Sequence, residues 1–543
     1  MTVPPVPDRI ATYRLRHVWS TGTDADTSVF DDCSYEVPPG VVIDGIGRSQ
    51  IRAFGPPATP ALDDTLPNFD GRYSPGGPLG SFVGRGPETT FDATWGTDVL
   101  GDSPEVLGDA LDVLGDGVAQ KRLFLGAITT APQDVSRGTA NVQVRSLGQI
   151  WQLTHDRPVV GLLENVRTDE AITAVLDASE WPMDKRVLDT GDTMLRYFWT
   201  DGQTDALSLI NQIVSAEGVP SCWYVNEDGV LHFEGRQYRA TAGRSVEPQY
   251  VFYDSRTGDD VRGDDPTVLG DSETTFGDGL SNIPILSHVL PTSWGANPDE
   301  VVVRVTTQTN TRTPTALMKI WEYGGPLTLA PLQVLDLPVV TSDPFKLAET
   351  PVLGRDYVVT SGAVTFSLIG TSGQVILLRA VAGSGGATVN GYSSNGPMVQ
   401  AISLPVTNAQ TVVSTVAVDL AAARYEPKPH TLQIWPEVSF SQALSLVNNF
   451  VRRYQQPRDQ MTITVANLDY LHMHAMLTIR VSDKIRIIHS HGAISANFFV
   501  ETLHHDLSQG GGLHILTLGC ERATDDVPSR FGTARFGFDR FSE

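Results

Sequence analysis

The fold is decided by a late stretch of the chain, "VETLHHDLSQGGGLHILTLGCERA", at residues 500–523. Apolar and polar side chains alternate on both sides of three consecutive glycines, which is the pattern of two antiparallel strands joined by a turn. The stretch places His504 and His505 beside Asp506, with His514 in the second strand. Because successive strand residues face opposite sides of a sheet, the two adjacent imidazoles cannot serve one substrate atom. The sequence therefore predicts a β-hairpin with structural histidines.

Strand patterning recurs over most of the chain. Apolar and polar residues alternate within 10–55, 121–132 and 139–153, and again from 460 to about 523. The content of Gly 50 and Pro 35, with abundant Val, Thr and Ser, favours short strands and turns over long helices. We therefore predict a mainly β protein with a few helices.

Two segments are predicted to be helices. The first covers 204–218, where Thr204 can cap the start and Gly218 can close the end. The second covers 439–457, where Ser439 and Gln442 fit a capping box. The expected apolar faces consist of Leu207, Ile210 and Val214 in the first helix, and Leu444, Val447, Val451 and Tyr454 in the second.

The two helical segments resemble each other. "DALSLINQIV" (205–214) and "QALSLVNNFV" (442–451) agree at six of ten positions, and each precedes a β-rich stretch. After the first helix that stretch begins with a predicted hairpin, which turns at Asp228-Gly229. We interpret the similarity as a trace of internal duplication.

Residues 300–410 differ from the rest of the chain in composition and in their frequency of turns. They consist of short Thr/Val/Gly strands with frequent turns, as expected of a β-sandwich inserted between the duplicated halves. The preceding stretch, 254–299, begins with an acidic, Gly-rich sequence and is predicted to be an extended linker or loop. The tail, 526–543, alternates Phe and Arg, and we expect it either to dock on a partner or neighbouring protomer or to fray.

Size and charge restrict the possible functions. A chain of 543 residues predicts roughly three to four domains. The net charge of −24 argues against nucleic acid as a bound ligand, since phosphate contacts need clustered Lys and Arg, but it permits DNA to pass nearby. The three cysteines, Cys33, Cys222 and Cys520, indicate neither a disulfide framework nor a zinc ribbon. Because there is no apolar leader and no run of about 18 apolar residues, we expect assembly in a reducing cytoplasm.

Two histidine pairs are candidate metal ligands. They are His472 with His474, and His489 with His491. In strands each pair would share one face, and together with His504, His505 and His514 they could assemble a metal site. No cysteine or third-ligand spacing completes a recognised motif, so the polar faces of half-exposed strands are the simpler interpretation. We expect no cofactor, and metal binding by the four paired histidines stays open.

Motifs for catalysis are missing. The sequence has no GxSxG, HExxH or P-loop, and no GxGxxG in a βαβ context, so we predict no catalytic residues. A glycosidase-like pair of carboxylates is not excluded by inspection, but no pair stands out. Val-Leu-Gly-Asp recurs at 99, 106 and 113 and suggests calcium binding by the three aspartates, although the pattern matches no known calcium loop. An acidic surface loop is the alternative.

Four stretches, in their order along the chain, resemble the hub proteins of phage tail tips and baseplates. They are "VIDGIGRSQIRAF" with "LPNFDGRYSPGGP" (42–54 and 66–78), "LFLGAIT" (123–129), "DALSLINQIVSAEGVPSCWYVNEDGVLHFEGR" (205–236) and "IRIIHSHGAISANFFVETLHHDLSQGGGLHILTLGCERA" (485–523). The resemblance implies two tube-like β-barrel hub domains, whereas the Val-Leu-Gly-Asp repeats and the Thr/Gly-rich insert depart from the minimal pattern of the family. The resemblance and the residue patterns together divide the chain into a first hub barrel (1–155), a helix plus hairpin domain (156–253), a linker (254–299), the inserted β-sandwich (300–410), a second helix with the closing hub barrel (411–525) and a tail (526–543).

The resemblance also implies a function. It is that of a structural virion protein at the tail tip: a homotrimer that matches the hexameric distal tail protein to three-fold parts below. Expected partners are the tape-measure protein, spike or fibre proteins and the host cell surface. A lumen lined with Asp and Glu would let DNA slide through during host entry, although the charge alternatively serves solubility.

Two other functions compete with this one. A distal-tail or fibre adaptor could bind host carbohydrate through Trp321, Tyr357 and Tyr392 on the inserted sandwich, although core packing of these rings is the simpler interpretation. A cell-wall hydrolase would need the carboxylate pair that inspection does not single out.

Overall fold

The computed structural model describes residues 11–20, 29–32, 40–48, 56–67, 86–96, 118–131, 133–136, 139–254, 281–285, 293–296, 302–415, 428–455, 459–467, 470–489, 494–508 and 513–523. Strands dominate these ranges, which confirms the mainly β prediction. None of the helices among these residues is both long and apolar enough to cross a membrane.

The first strands form one antiparallel array. They are β1 (Ala11–Ser20), β2 (Val29–Asp32), β3 (Gly40–Gly47), β4 (Ala61–Pro67), β5 (Gly86–Gly96), β6 (Val118–Thr130), β7 (Gln133–Ser136) and β8 (Thr139–Gly148). Their side-by-side order is β3-β4-β8-β6-β5-β1-β2, and every pairing is antiparallel.

An α+β segment follows. It contains α1 (Ile150–His155), β9 (Leu163–Arg167), α2 (Thr168–Ala178), a 3₁₀ turn (Met183–Lys185), β10 (Arg186–Leu188), β11 (Met194–Phe198), α3 (Ala206–Glu217), β12 (Cys222–Val225), β13 (Leu231–Glu234), α4 (Tyr238–Thr241), α5 (Gly243–Val246) and β14 (Tyr250–Asp254). The predicted hairpin is confirmed, because β12 and β13 pair antiparallel across the turn that holds Asp228 and Gly229.

The next elements are strands only. They are β15 (Ser281–Ile285), β16 (Ser293–Ala296), β17 (Val302–Arg312), β18 (Leu317–Glu322), β19 (Leu327–Leu329), β20 (Val334–Val340), β21 (Phe345–Glu349), β22 (Val358–Ser372), β23 (Val375–Asn390), β24 (Met398–Ser403) and β25 (Val406–Thr415). Within the predicted linker 254–299, β15 joins the large sheet by pairing with β14, and β16 joins it by pairing with the later strand Asp459–Ala466. Two short parts of this stretch are therefore strands held by backbone pairing, although its composition predicted no strand.

The closing elements are β26 (Lys428–Thr431), α6 (Phe440–Tyr454), β27 (Asp459–Ala466), α7 (Tyr470–Thr478), β28 (Lys484–His489), β29 (Ile494–Ser508) and β30 (Leu513–Arg522). β29 and β30 form the antiparallel hairpin predicted for 500–523. Within the strand region predicted from 460 to about 523, the strand prediction is wrong at Tyr470–Thr478, where the apolar run forms helix α7. Short apolar runs fit a buried helix and a buried strand equally well.

One 15-stranded sheet joins the two ends of the chain. β29 pairs with β28 and β30 and also, antiparallel, with β3, where Leu507 lies opposite Val41. The strands of the two predicted barrel regions thus belong to one curled sheet. Apolar residues of both regions, such as Leu15, Ile43, Phe498 and Leu518, share a single core.

A second core unites the two similar helices. Residues from α2, α3 and α6 pack there with Trp223 and Phe233 of the hairpin. Ser439 caps α6 in a capping box with Gln442, as predicted. The cap of α3 is Asp205 rather than the predicted Thr204, because its carboxylate accepts the Ser208 N–H. The buried apolar face of α6 includes Leu446 and Phe450 but not the predicted Leu444, which is exposed.

The insert has its own core. Sheet β18-β24-β21 faces the sheet in which β23 pairs with β19 and β20 on one edge and with β22 on the other. Phe345, Phe366, Leu378 and Val399 are buried between them. β17, β25 and β26 form a separate three-stranded sheet, and Val305 and Val412 contribute to the helical core instead. The domain limits drawn from the sequence stay a prediction.

Candidate functional site

A buried, multiply hydrogen-bonded polar group lies where the large sheet meets the α+β segment. Its centre is Glu501 of β29, which is fully buried. The pairing of β29 with β30 shifts register between Val500 and Thr502, and such a bulge can re-aim a side chain. This irregularity accounts for a carboxylate inside a strand that otherwise alternates regularly.

Two arginines neutralise Glu501. Arg239 of α4 donates from Nη1 to Oε1 at 2.7 Å and from Nη2 to Oε2 at 3.0 Å. Arg48, at the end of β3, places Nε 3.1 Å from Oε2. Burial alone would raise the pKa of Glu501, but Arg239 and Arg48 hold that pKa below its ordinary value. The carboxylate therefore stays ionised and binds both arginines.

A second carboxylate completes this group. Ser482 accepts a hydrogen bond from Arg239 and donates one to Glu234 of β13. Cys222 and Tyr224 of the adjoining strand also hydrogen-bond to Glu234. We call Arg48, Glu234, Arg239, Ser482 and Glu501 the junction cluster. It ties the end of β3, the hairpin strand β13, helix α4, the turn before β28 and strand β29 to one another.

The chemistry of the junction cluster is structural. Burial raises the pKa of Glu234, and burial raises the pKa of the Cys222 thiol to about 12. A protonated, inaccessible thiol is neither a nucleophile nor a metal ligand. Each of the five cluster side chains is buried, so no substrate reaches them. The arrangement can hold elements together but cannot transform a molecule.

Close backbone approach supports the cluster. The Arg48 N–H donates to the Glu501 carbonyl at 3.1 Å. Gly47, beside it, has φ +99°, and a Cβ there would collide with that same carbonyl. β3 can therefore approach β29 this closely only with glycine at position 47.

The histidines of the closing hairpin form a second buried group. His505 Nδ1 lies 2.9 Å from His514 Nε2, and the Tyr13 hydroxyl lies 2.8 Å from His514 Nδ1. Burial lowers the pKa of His505 to about 3 and that of His514 well below its usual value, so both rings are neutral at pH 7. A neutral imidazole has one donor and one acceptor nitrogen, so Tyr13, His514 and His505 can form a continuous chain of hydrogen bonds. His504 is half exposed and faces Asp44, which agrees with opposite orientation of the two neighbours.

The first of the two paired-histidine candidates does not lie on a strand. His472 and His474 lie on helix α7, where residues two apart point in different directions. His472 is buried and His474 half-buried. The His489 side chain and His491 lie outside the described residues, as do the Val-Leu-Gly-Asp repeats. Within the described ranges no group of three or more His, Cys, Asp or Glu side chains could hold a metal ion.

The aromatic candidates of the insert separate into two kinds. Tyr357 is buried and packs edge-to-face on Phe366, and Trp321 packs against the sandwich core. Tyr392 is 61% exposed. The three rings therefore form no common carbohydrate platform.

A cavity of about 590 Å³ opens between α3 and α6. One wall is the polar stripe Ser208, Asn211, Gln212 and Ser215 of α3, and Leu446 and Phe450 of α6 are also in the lining. No carboxylate, guanidinium or ammonium group is among its described lining residues.

The outer face of the large sheet carries both signs of charge. Asp44 and Asp63 are exposed there, but so are Arg14 and Arg145. Two acidic stretches, 97–117 and 255–280, lie outside the described residues. The acidic lumen stays a prediction.

Sequence reasoning missed the junction cluster. The visible signal was a charged residue inside an apolar strand, Glu501 in "FFVETL", and another after a glycine-rich strand, Arg48 in "GIGRS". Buried charges need partners, so such residues indicate an ion pair. Their pairing across the chain becomes visible only in the fold.

The sequence matches no protein-family model and no curated protein. Solved structures with a similar course of the chain include a tail protein from Neisseria meningitidis, with 10% identity, 94% of this chain and 96% of that chain covered, and a TM-score of 0.44. A prophage tail protein from Shewanella oneidensis has 8% identity, the same coverage and a TM-score of 0.43.

A third similar structure is a type VI secretion system component from Escherichia coli that itself resembles bacteriophage T4 tail proteins. It has 8% identity, 90% of this chain and 73% of that chain covered, and a TM-score of 0.33. The three belong to the class of tail and tail-like proteins that the sequence motifs resemble. TM-scores below 0.5 leave the assembly and activity of this chain to be argued from its own residues.

Proposed function

We propose that the chain is a structural hub protein of a phage tail tip, which assembles as a homotrimeric ring around a channel for DNA. The proposal rests on one observation above all: β29 pairs with β3 and so joins strands from both ends of the chain in one curled sheet. A sheet that curls around a shared core is a unit from which a tube wall can be built. No catalytic step is part of this function.

The similar helices support the proposed symmetry. α3 and α6 share their sequence pattern, carry side-chain caps and pack in one core. Two related units per chain would give a trimer six similar positions, which suits contact with a six-fold ring on one side and three-fold parts on the other. We propose the distal tail protein as the six-fold neighbour.

Open sheet edges give the ring a means of assembly. Within the described residues, β2 pairs only with β1, and β15 only with β14. An unpaired edge invites pairing with another chain, and ring closure removes such edges. We propose that the tape-measure protein and the spike or fibre proteins bind at the two ends of this ring, in the virion.

Passage of DNA needs a wall that does not bind phosphate. The net charge of −24 serves this purpose if the acidic stretches line the channel, because repulsion over about 8 Å keeps the duplex from the wall. Opening of the channel on contact with the host cell would then release the genome.

Electron microscopy tests the proposal. Class averages of the purified full chain, and of tail tips that contain it, should show a three-fold ring with a central hole, and light scattering should give three times the chain mass of 58.8 kDa. A stable monomer in solution together with pore-less tail tips would contradict it. Cleavage of cell-wall material by the purified protein, lost when particular carboxylates are replaced, would assign an enzymatic function instead.

A further inference from the structure

The inserted sandwich has a sheet that is apolar on both faces. Along β20 and β23, one set of alternating residues is buried, with Val339, Ile376 and Leu378 fully inaccessible. The other set points outward, and it is apolar at most positions too. We call this set the valine face: Val334, Asp336, Pro338 and Val340 of β20, and Val375, Leu377, Arg379 and Val381 of β23.

The register arranges the valine face in four rows. Val334 lies opposite Val381, Asp336 opposite Arg379, Pro338 opposite Leu377, and Val340 opposite Val375. The third strand, β22, continues the rows with small polar side chains such as Thr365 and Ser367. On β20 and β23 the result is three apolar rows interrupted by one charged row, with a polar border along β22.

The rim of this face is open to solvent. Val334 is 54% exposed, Val340 is 58% exposed and Val381 is 36% exposed. A sheet with one solvated face normally alternates apolar inward with polar outward residues. Contiguous outward valines therefore indicate a surface that is covered in the assembled state.

The charged row has both signs side by side. Arg379 donates from Nε and Nη2 to the two carboxylate oxygens of Asp336, at 2.7 and 2.8 Å. Both side chains are about 40% exposed, so each keeps hydrogen-bonding capacity toward a second molecule.

We propose that the valine face binds the valine face of a second copy of this chain. A two-fold axis that runs along the strands, midway between β20 and β23, maps each row onto itself with its two members exchanged. Val334 then packs on Val381 of the second copy, and Asp336 lies over Arg379 of the second copy. Each Asp336 and each Arg379 then has two partners of opposite charge, one in its own chain and one in the second copy.

Charge complementarity selects this occupant. Any two-fold contact places residue i on residue j and residue j on residue i. A row with one carboxylate and one guanidinium is self-complementary under that exchange, whereas a surface that fits an unrelated acidic or basic partner would carry one sign. The apolar rows on either side are complementary to themselves in the same way.

The contact is small. The two-fold axis superposes β20 on β23, and two strands at about 4.8 Å spacing with seven residues at about 3.4 Å rise give roughly 230 Å² of sheet per copy. Stable complexes bury about 800 Å² per partner. The self-association is therefore weak and concentration-dependent. The contact does not depend on the proposed ring.

Mixing two charge variants tests the proposal. Asp336→Arg gives a face with two guanidinium groups, and Arg379→Asp gives a face with two carboxylates. Sedimentation velocity over a concentration series should show that each variant alone has lost the wild-type association. An equimolar mixture should recover it, because each face then meets its opposite. Recovery on mixing is a result that a merely structural ion pair does not produce.

Apolar substitutions provide the second arm. Val340→Glu should abolish association, whereas Met318→Glu, at a 47% exposed position on β18 of the other sheet, should leave it unchanged. The thermal unfolding midpoint of each variant establishes that it is folded.

Three outcomes would overturn the proposal. They are association that survives in both charge variants, a mixture of the two variants that fails to recover association, and a wild-type protein that never doubles its basal mass. Doubling is measured relative to the basal unit, whether that is a monomer or a trimer, so this outcome is separate from the test of the ring.

Discussion

Arg239 and Glu501 lie 262 residues apart in the sequence and form a buried, bidentate ion pair. Arg239 follows the β12–β13 hairpin, and Glu501 lies on the strand that joins the two ends of the chain. A buried ion pair contributes little net stability over an apolar pair, but breaking one leaves an uncompensated charge. The pair therefore acts as a fixed joint between the α+β segment and the large sheet.

Replacing Glu501 should be strongly destabilising. In Glu501→Gln, the guanidinium groups of Arg239 and Arg48 lose the negative charge that compensates their burial. We expect the free energy of unfolding in urea to fall by about 3–5 kcal/mol.

An exposed pair of the same sheet provides the control. Asp63 and Arg145 lie 3.8 Å apart with side chains 53% and 57% exposed. Asp63→Asn should change the free energy of unfolding by less than about 0.5 kcal/mol. Similar losses for the two variants would contradict a specific role of the buried pair.

The histidine chain should make stability depend on pH. The folded pKa of His505 is about 3, below the unfolded value of about 6.5, so the unfolded chain binds the extra proton between these values. Stability is therefore present above pH 6.5 and is lost as the pH falls. Between pH 7.5 and 5.5 this one group accounts for a loss of about 1.4 kcal/mol. His505→Gln should reduce the loss by that amount in urea titrations at the two pH values.

His504 is the matched control, since it adjoins His505 but is half exposed beside Asp44. His504→Gln should keep the wild-type difference between the two pH values. If both variants show the same difference as the wild type, the neutral chain Tyr13–His514–His505 does not contribute to the pH dependence.

The local patterns of the sequence were sufficient for the helix–hairpin at 204–234, apart from the residue that caps the helix, and for the hairpin at 500–523, because turns and alternation depend on neighbouring residues. They were insufficient for α7, where the apolar run around Met473 and Met476 fits helix and strand alike. The junction cluster was missed for a different reason. Its members lie in five separate parts of the chain: the pairing of β29 with β3 brings Arg48 to Glu501, and hydrogen bonds across the fold add Arg239, Ser482 and Glu234.

The cap of α6 should contribute measurably to stability. Ser439 Oγ accepts the Gln442 N–H, and the Gln442 side chain accepts the Ser439 N–H. Ser439→Ala removes one of these bonds and should lower the free energy of unfolding by about 1 kcal/mol. The exposed mid-helix residue Ser445 provides the control, because Ser445→Ala should leave stability unchanged or raise it by a few tenths of a kcal/mol. Equal effects at both positions would mean that helix propensity, and not the cap, determines the loss.

The contact between the two similar helices depends on one glycine. Gly218 ends α3 with φ +86°, and a Cβ there would collide with Leu446 Cδ2 of α6. Gly218→Ala should cost at least about 1–2 kcal/mol from the left-handed backbone alone, with the collision added. Gly161, where a Cβ meets nothing within 4 Å, is the control, and Gly161→Ala should change stability by less than about 0.5 kcal/mol. A tolerated alanine at 218 would show that the Leu446 side chain can move aside without loss, and the close approach of α3 to α6 would then not require glycine at this position.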